Sequence, residues 1–191
     1  MDSVCQDKAY GLRFALFRKT GGRGSRQKYE IITADGHISR YRRAEIVLKV
    51  KTTVRPSNIA GYGLFLAEFI PKGTVVWEFQ PEVDRIFEDP EIAELDDAGL
   101  KKLMFHAYLN SSTGKVVWCG DGALYMNHSE QPTLLVVDNG KPEGACIAAR
   151  DLWPGEELTC NYYDFDGVAD WKLGKSIDLR LKLRAASNSE K

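Results

Sequence analysis

Short β-prone runs, each closed by a glycine or proline turn, fill most of this 191-residue chain, and only residues 89–109 have the spacing of a helix. Such a pattern predicts small sheets with a short helical insert, a mainly β fold. Residues 10–17 (YGLRFALF) read as a strand, and residues 18–28 (RKTGGRGSRQK) as a basic glycine-rich loop. Residues 29–33 and 37–41 read as a hairpin, because Asp35-Gly36 between them supplies the positive φ angles of a tight turn. Residues 44–54, rich in Val, Ile and Thr, continue as β-prone sequence. Residues 55–63 form a loop, and strands at 64–68 and 74–79 flank the turn Pro71-Lys72-Gly73. Residues 116–118, 134–137 and 145–149 return to strand-like runs, the last two joined by the turn-rich stretch 138–144. In the helical window Pro90 suits the first turn and Glu91, Glu94, Asp96 and Asp97 favour the N-terminal part. Leu100, Leu103, Met104 and Ala107 make its apolar face, and Gly99 is the expected break into two shorter helices.

Composition narrows the class. With 43% hydrophobic and 28% charged residues the chain is globular and long enough for a real core. Its apolar runs fall well short of the roughly 20 residues that span a bilayer. The start, Met-Asp-Ser-Val-Cys-Gln-Asp-Lys, lacks the basic and apolar blocks of a signal peptide, so an intracellular location, cytoplasmic or nuclear, is the expectation. Cys5, Cys119, Cys146 and Cys160 are scattered without a C-x-C or C-x-x-C pair, which predicts neither a disulfide framework nor a structural zinc site. Residues 1–50 carry 11 Lys/Arg against 5 Asp/Glu, and the remainder 15 against 22. That asymmetry implies different surfaces for the two halves; the expected organisation is a small basic β-rich N-terminal module over 1–48, a main domain over 49–166, and a tail over 167–191 with helical and disordered character. The basic residues 18–28 present either a solvated face or a nucleic-acid contact.

Chemistry concentrates in three places. Asn127-His128-Ser129, behind the apolar triplet Leu124-Tyr125-Met126, offers an amide, an imidazole and a hydroxyl. The same residues also suit an ordinary loop whose side chains satisfy nearby backbone. Gly61-Tyr62-Gly63 is a G-x-G loop between strands, where the backbone approaches a ligand closely; no dinucleotide or phosphate-loop fingerprint follows it. Near the C-terminus, Pro154-Gly-Glu-Glu-Leu-Thr-Cys-Asn-Tyr162 gives a turn, a short strand and an aromatic hydroxyl.

Taken together, Ile59–Phe65 with Ile70–Val75, then Tyr125–Ser129, then Arg150–Tyr162 resemble in order and spacing the signature blocks of the SET-domain protein lysine methyltransferases. The resemblance covers roughly residues 50–165. It implies small β-sheets in which the Asn-His segment threads beneath a loop as a pseudoknot, with residues 89–109 as the variable insert facing a protein substrate. It implies S-adenosylmethionine held by backbone groups of Gly61, Tyr62 and Gly63, by the Asn127 side chain and by the His128 backbone. Tyr162 matches the catalytic tyrosine, Tyr108 an active-site tyrosine, and Cys160, Tyr125 and Phe165 the substrate channel. The family's Arg-Phe before the Asn-His block is Leu124-Tyr125 here, which puts one cofactor contact in doubt. The Cys after Asn-His-Ser is Glu130, the Asn after Pro132 is Thr133, and the Asp before the catalytic tyrosine is Asn161. Two other readings stay open at this stage: a catalytically weak scaffold of this family, and a nucleic-acid-associated protein led by the basic module.

The resemblance also bears on product. In the family, the residue two before the catalytic tyrosine governs how many methyl groups are added, a tyrosine favouring one and a phenylalanine leaving room for more. A thiol at Cys160 is smaller than either ring and a weak hydrogen-bond partner, so di- or trimethyllysine is the expected product.

Overall fold

Residues 48–175 and 177–187, with the strand residues 16–21, 28–32 and 38–42, are described by the computed structural model. The chain divides into two units, residues 1–46 and 47–191. In the first, β1 (Leu16–Gly21), β2 (Lys28–Ile32) and β3 (Ile38–Arg42) form an antiparallel sheet in that order. β2 and β3 pair in the register of the expected hairpin, Ile32 opposite Ile38, while the Asp35-Gly36 turn lies outside the described residues. One expectation is corrected here. Arg18 to Gly21, read as loop, belong to β1, because ladder bonds are made by the backbone whatever the side chains. The remainder of that basic stretch up to Gln27, and residues 10–15 of the first expected strand, lie outside the described residues.

The second unit holds, in chain order, β4 (Thr52–Pro56), β5 (Tyr62–Leu66), β6 (Val75–Glu78), β7 (Arg85–Phe87), α1 (Asp89–Ala93), α2 (Asp97–His106), β8 (Ala107–Leu109), β9 (Val116–Trp118), β10 (Asn127–His128), β11 (Leu134–Val137), β12 (Ala145–Ala148), β13 (Glu157–Cys160), α3 (Ala169–Lys172) and α4 (Leu179–Ser187). They make three sheets, ordered β10-β13-β5-β4, β11-β12-β6 and β7-β9-β8. This is the mainly β architecture with a helical insert that the sequence pattern predicts. Leu64 and Leu158 face each other across β5 and β13, and with Val76, Leu134 and Leu152 they are fully buried. Each such side chain contributes about 1.5–3 kcal/mol relative to exposure, so these leucines hold the sheets against one another.

The helical window is split differently from expectation. A Glu88–Glu91 capping box starts α1, and the Asp96 side chain accepts the Gly99 N–H at 2.7 Å to start α2. Gly99 therefore sits in the first turn of α2 and does not divide the window. The window's end is corrected too. Ala107–Leu109 leave the helix for β8, since pairing with Val116–Trp118 satisfies their backbone, and Tyr108 stands on a strand.

Residues 167–187, expected as a tail, carry α3 and α4, and Leu179 and Leu183 of α4 are buried. Arg180 ties α4 to α2 through Asp97 and to the Leu95 carbonyl at 2.7 Å. Among the described residues no helix is long and apolar enough to cross a membrane.

What positions the site is an uncommon pairing. Asn127 and His128 lie parallel to Thr159 and Cys160, and the Ser129 N–H donates to the Cys160 carbonyl at 3.0 Å. Two stretches far apart in sequence thus run side by side, with Tyr162 hydrogen-bonded to Met126 and His128 just beyond the end of β13.

Candidate active site

Tyr162 opens a 3-10 turn directly after β13. Its hydroxyl donates to the Met126 carbonyl at 2.8 Å, and its N–H donates to His128 Nδ1 at 3.2 Å, so β10 and its flank fix the tyrosine at both ends. The ring stands 5.3 Å from the His128 ring and 6.0 Å from Phe165. Burial first, and then the neighbouring Cys160 and Asp166, push the phenol above its ordinary range. Tyr162 is therefore a fixed hydroxyl dipole at neutral pH rather than a ready base.

A cleft with about 700 Å³ of empty space, part of it open to solvent, is lined by Tyr108, Met126, Glu143, Cys160, Tyr162 and Phe165, among others. Tyr108 meets Phe165 edge to face at 5.1 Å. Its hydroxyl donates to Glu143 Oε2 at 3.1 Å, and burial is the main cause that raises its pKa. Asn110 Nδ2 donates to the same Glu143 oxygen at 2.6 Å, while Asn110 Oδ1 accepts the Ser112 and Thr113 N–H groups. Cys160 is buried, its Sγ 4.0 Å from Cys146 Sγ and 3.8 Å from Met126 Sδ. Its contact with Cys146, then burial, raises the thiol's pKa. Lys172, at the cleft's edge, pairs with buried Asp166 at 2.9 Å and donates to the Ala107 carbonyl at 2.6 Å.

The glycine loop joins β4 and β5. Gly61 adopts φ +46°, a conformation that favours glycine, and a Cβ there would meet nothing within 4 Å. Gly63 is closed in: a Cβ would lie 2.3 Å from Glu157 Oε1. Asn127 Nδ2 donates to the carbonyls of Ala60 and Tyr62, each at 3.2 Å, and to Glu157 Oε1 at 2.8 Å. Ser57 Oγ holds the same carboxylate at 2.8 Å. The Asn127 amide thus ties the loop to β10 and β13, with the loop's outer backbone left open and Tyr62 61% exposed.

Of the residues singled out in the sequence, Tyr108, Cys160, Tyr162 and Phe165 come together in the cleft, and Gly61, Tyr62, Gly63, Asn127 and His128 gather around the loop and β10. Tyr125 ends a 3-10 turn and packs against the core, between Leu124 and Met126, which line the cleft. Glu143 and Lys172 were not legible. Glu143 sits in a stretch whose Asn, Gly and Pro residues signal only a turn, and Lys172 lies in what reads as a tail. Among the described residues no group of three or more His, Cys, Asp and Glu is arranged to hold a metal ion.

Comparison with known proteins gives the same direction. A family model described as the SET domain matches residues 61–163, more than half the chain. The chain is similar to the histone-lysine N-methyltransferase SETMAR of Rattus norvegicus, 28% identical over 162 residues that make up 75% of this chain and 50% of that protein. It is similar to the Mus musculus protein of the same name, 31% identical over 118 residues, 56% of this chain and 37% of that one. A putative histone-lysine N-methyltransferase 1 of Plasmodium falciparum is 31% identical over 114 residues, 57% of this chain and 2% of that protein. The chain spans half or less of these curated relatives.

Proposed function

The chain belongs to the SET-domain family, and on that premise we propose that it is a protein-lysine N-methyltransferase that uses S-adenosylmethionine and acts on a histone or another lysine-bearing protein. The observation that carries this reading is the coupling of Tyr162 and the glycine loop through β10. Met126 and His128 fix Tyr162, and Asn127 between them holds the carbonyls of Ala60 and Tyr62.

The residues present fit the cofactor. The loop's backbone is open at Gly61, and the adjoining Asn127-His128 strand leads from it to the cleft wall at Met126 and Tyr162. Backbone groups of Gly61, Tyr62, Gly63 and His128 would hold the molecule, with Asn127 acting through the loop it ties down. When bound, S-adenosylmethionine supplies a methyl group activated on a sulfonium.

Lysine, with a reference pKa of about 10.4, has to lose a proton before its nitrogen can attack. The rings of Tyr108, Tyr162 and Phe165 and the sulfur-rich wall of Met126 and Cys160 desolvate the ammonium, which favours its neutral form. The same walls fix the direction of the amine's lone pair, so orientation supplies much of the rate gain. Tyr162, protonated and anchored to Met126, keeps its dipole fixed through the reaction. Incubating the full chain with methyl-labelled S-adenosylmethionine and either core histones or whole-cell protein tests the proposal. Label recovered as methyllysine is the expected result; label absent from lysine in every protein overturns it.

A further inference from the structure

Glu143 is 8% exposed and lies in the wall of the cleft. Both of its protein hydrogen bonds, from the Tyr108 hydroxyl and the Asn110 amide, fall on Oε2. Oε1 receives none, and it is not among the fully buried atoms that lack a partner, so part of it is exposed, on a residue that lines the cleft. Among the described residues no cation pairs with Glu143. Lys172, the cation that shares the cleft, is committed to Asp166 and the Ala107 carbonyl, and His106 at the same edge is held toward its neutral form by burial. A second polar group of the same cleft is also unpartnered: the buried indole N–H of Trp77 has no acceptor.

An isolated carboxylate in such a place is costly unless a cation completes it. Two neutral donors on one oxygen do not neutralise it. We propose that Glu143 Oε1 is a binding subsite for a primary ammonium group, entered through the cleft. If the methyltransferase reading holds, the occupant is the substrate lysine, and the ion pair supplies the outlet for its proton. One N–H bond breaks and one O–H bond forms, turning ammonium and carboxylate into amine and carboxylic acid with no net change of charge. The proton returns to solvent when the product leaves.

The inference rests on that reading only for its occupant. Its test does not. n-Butylammonium carries the end of a lysine side chain, and 1-butanol matches it in size without the charge. Both are titrated into the full chain carrying methyl-labelled methionine, with the Met126 signal followed by NMR; the chain has three methionines, so assignment by Met126→Leu is simple. The wild type is expected to prefer the ammonium over the alcohol. Glu143→Gln, which keeps an oxygen for Asn110, should weaken ammonium binding by about tenfold or more, the scale of a lost charge-assisted bond, and leave the alcohol unchanged. Tyr108→Phe, which keeps the charge, should retain the preference. A wild type without preference overturns the proposal whether or not the variants fold, and so does a folded Glu143→Gln that keeps it. Methyl transfer without ammonium preference would refute the subsite alone; ammonium binding without any transfer would refute the activity alone.

Discussion

Cys160 stands two residues before Tyr162 with its sulfur against Met126 and Cys146, so the cleft wall beside the Tyr162 hydroxyl is small and soft. Neither contact is a strong hydrogen bond, and neither would pin a water molecule or stop a methylated amine from turning. Exhaustive reaction is expected to end at di- or trimethyllysine, and Cys160→Tyr to shift the product toward monomethyllysine at a packing cost of about 1–3 kcal/mol. Mass spectrometry of a fully reacted substrate checks this, and a wild-type reaction that stops at one methyl group contradicts it. At this scale the sequence motifs singled out Tyr162 and Asn127, which the structure joins through β10. The sequence was silent on Glu143, because the carboxylate is tied into the cleft wall only when β8 and the residue after it bring Tyr108 and Asn110 to it.

Between elements, the approach of the 80–84 turn to the segment after β9 shows how the fold handles buried charge. Asp84, 5% exposed, accepts the Gln80 N–H at 2.8 Å and the Gly120 N–H at 3.0 Å. A Cβ at Gly120 would lie 2.0 Å from the Val83 carbonyl, so glycine is required at that crossing. Burial pushes the Asp84 pKa up to about 7, against the pull of the two backbone donors. The folded state therefore holds its proton more tightly than the unfolded chain. This contribution to stability is complete below the ordinary carboxyl range, about pH 4, and is lost as pH rises through about 7, at about 1.4 kcal/mol per unit of pKa difference. Melting temperature should rise between about pH 8 and pH 6 more steeply in the wild type than in Asp84→Asn, which gives up one hydrogen bond and the titration. Equal slopes in thermal melts of the two proteins would contradict the assignment. Strand and helix types were legible here from short β-branched runs and one amphipathic window. The division at Asp96, not Gly99, was not, because a side-chain cap decided it; nor was β8, whose strand state depends on its partner β9.

At the scale of the whole molecule, residues 1–46 carry an excess of basic residues and residues 47–191 an excess of acidic ones. Under the proposed function, methyl transfer would take place in the second unit where Tyr162 meets the cleft, with the hydroxyl serving the reaction rather than cofactor binding. The ring contacts with His128 and Phe165 survive in Tyr162→Phe, while the bond to the Met126 carbonyl is lost. The most direct test compares wild type and Tyr162→Phe in the transfer of label from S-adenosylmethionine to lysine, with cofactor affinity measured by calorimetry on the same preparations. The prediction is a fall in rate of about a hundredfold or more, the scale of one preorganised polar group, at unchanged affinity. Near-normal transfer by the folded variant would contradict it.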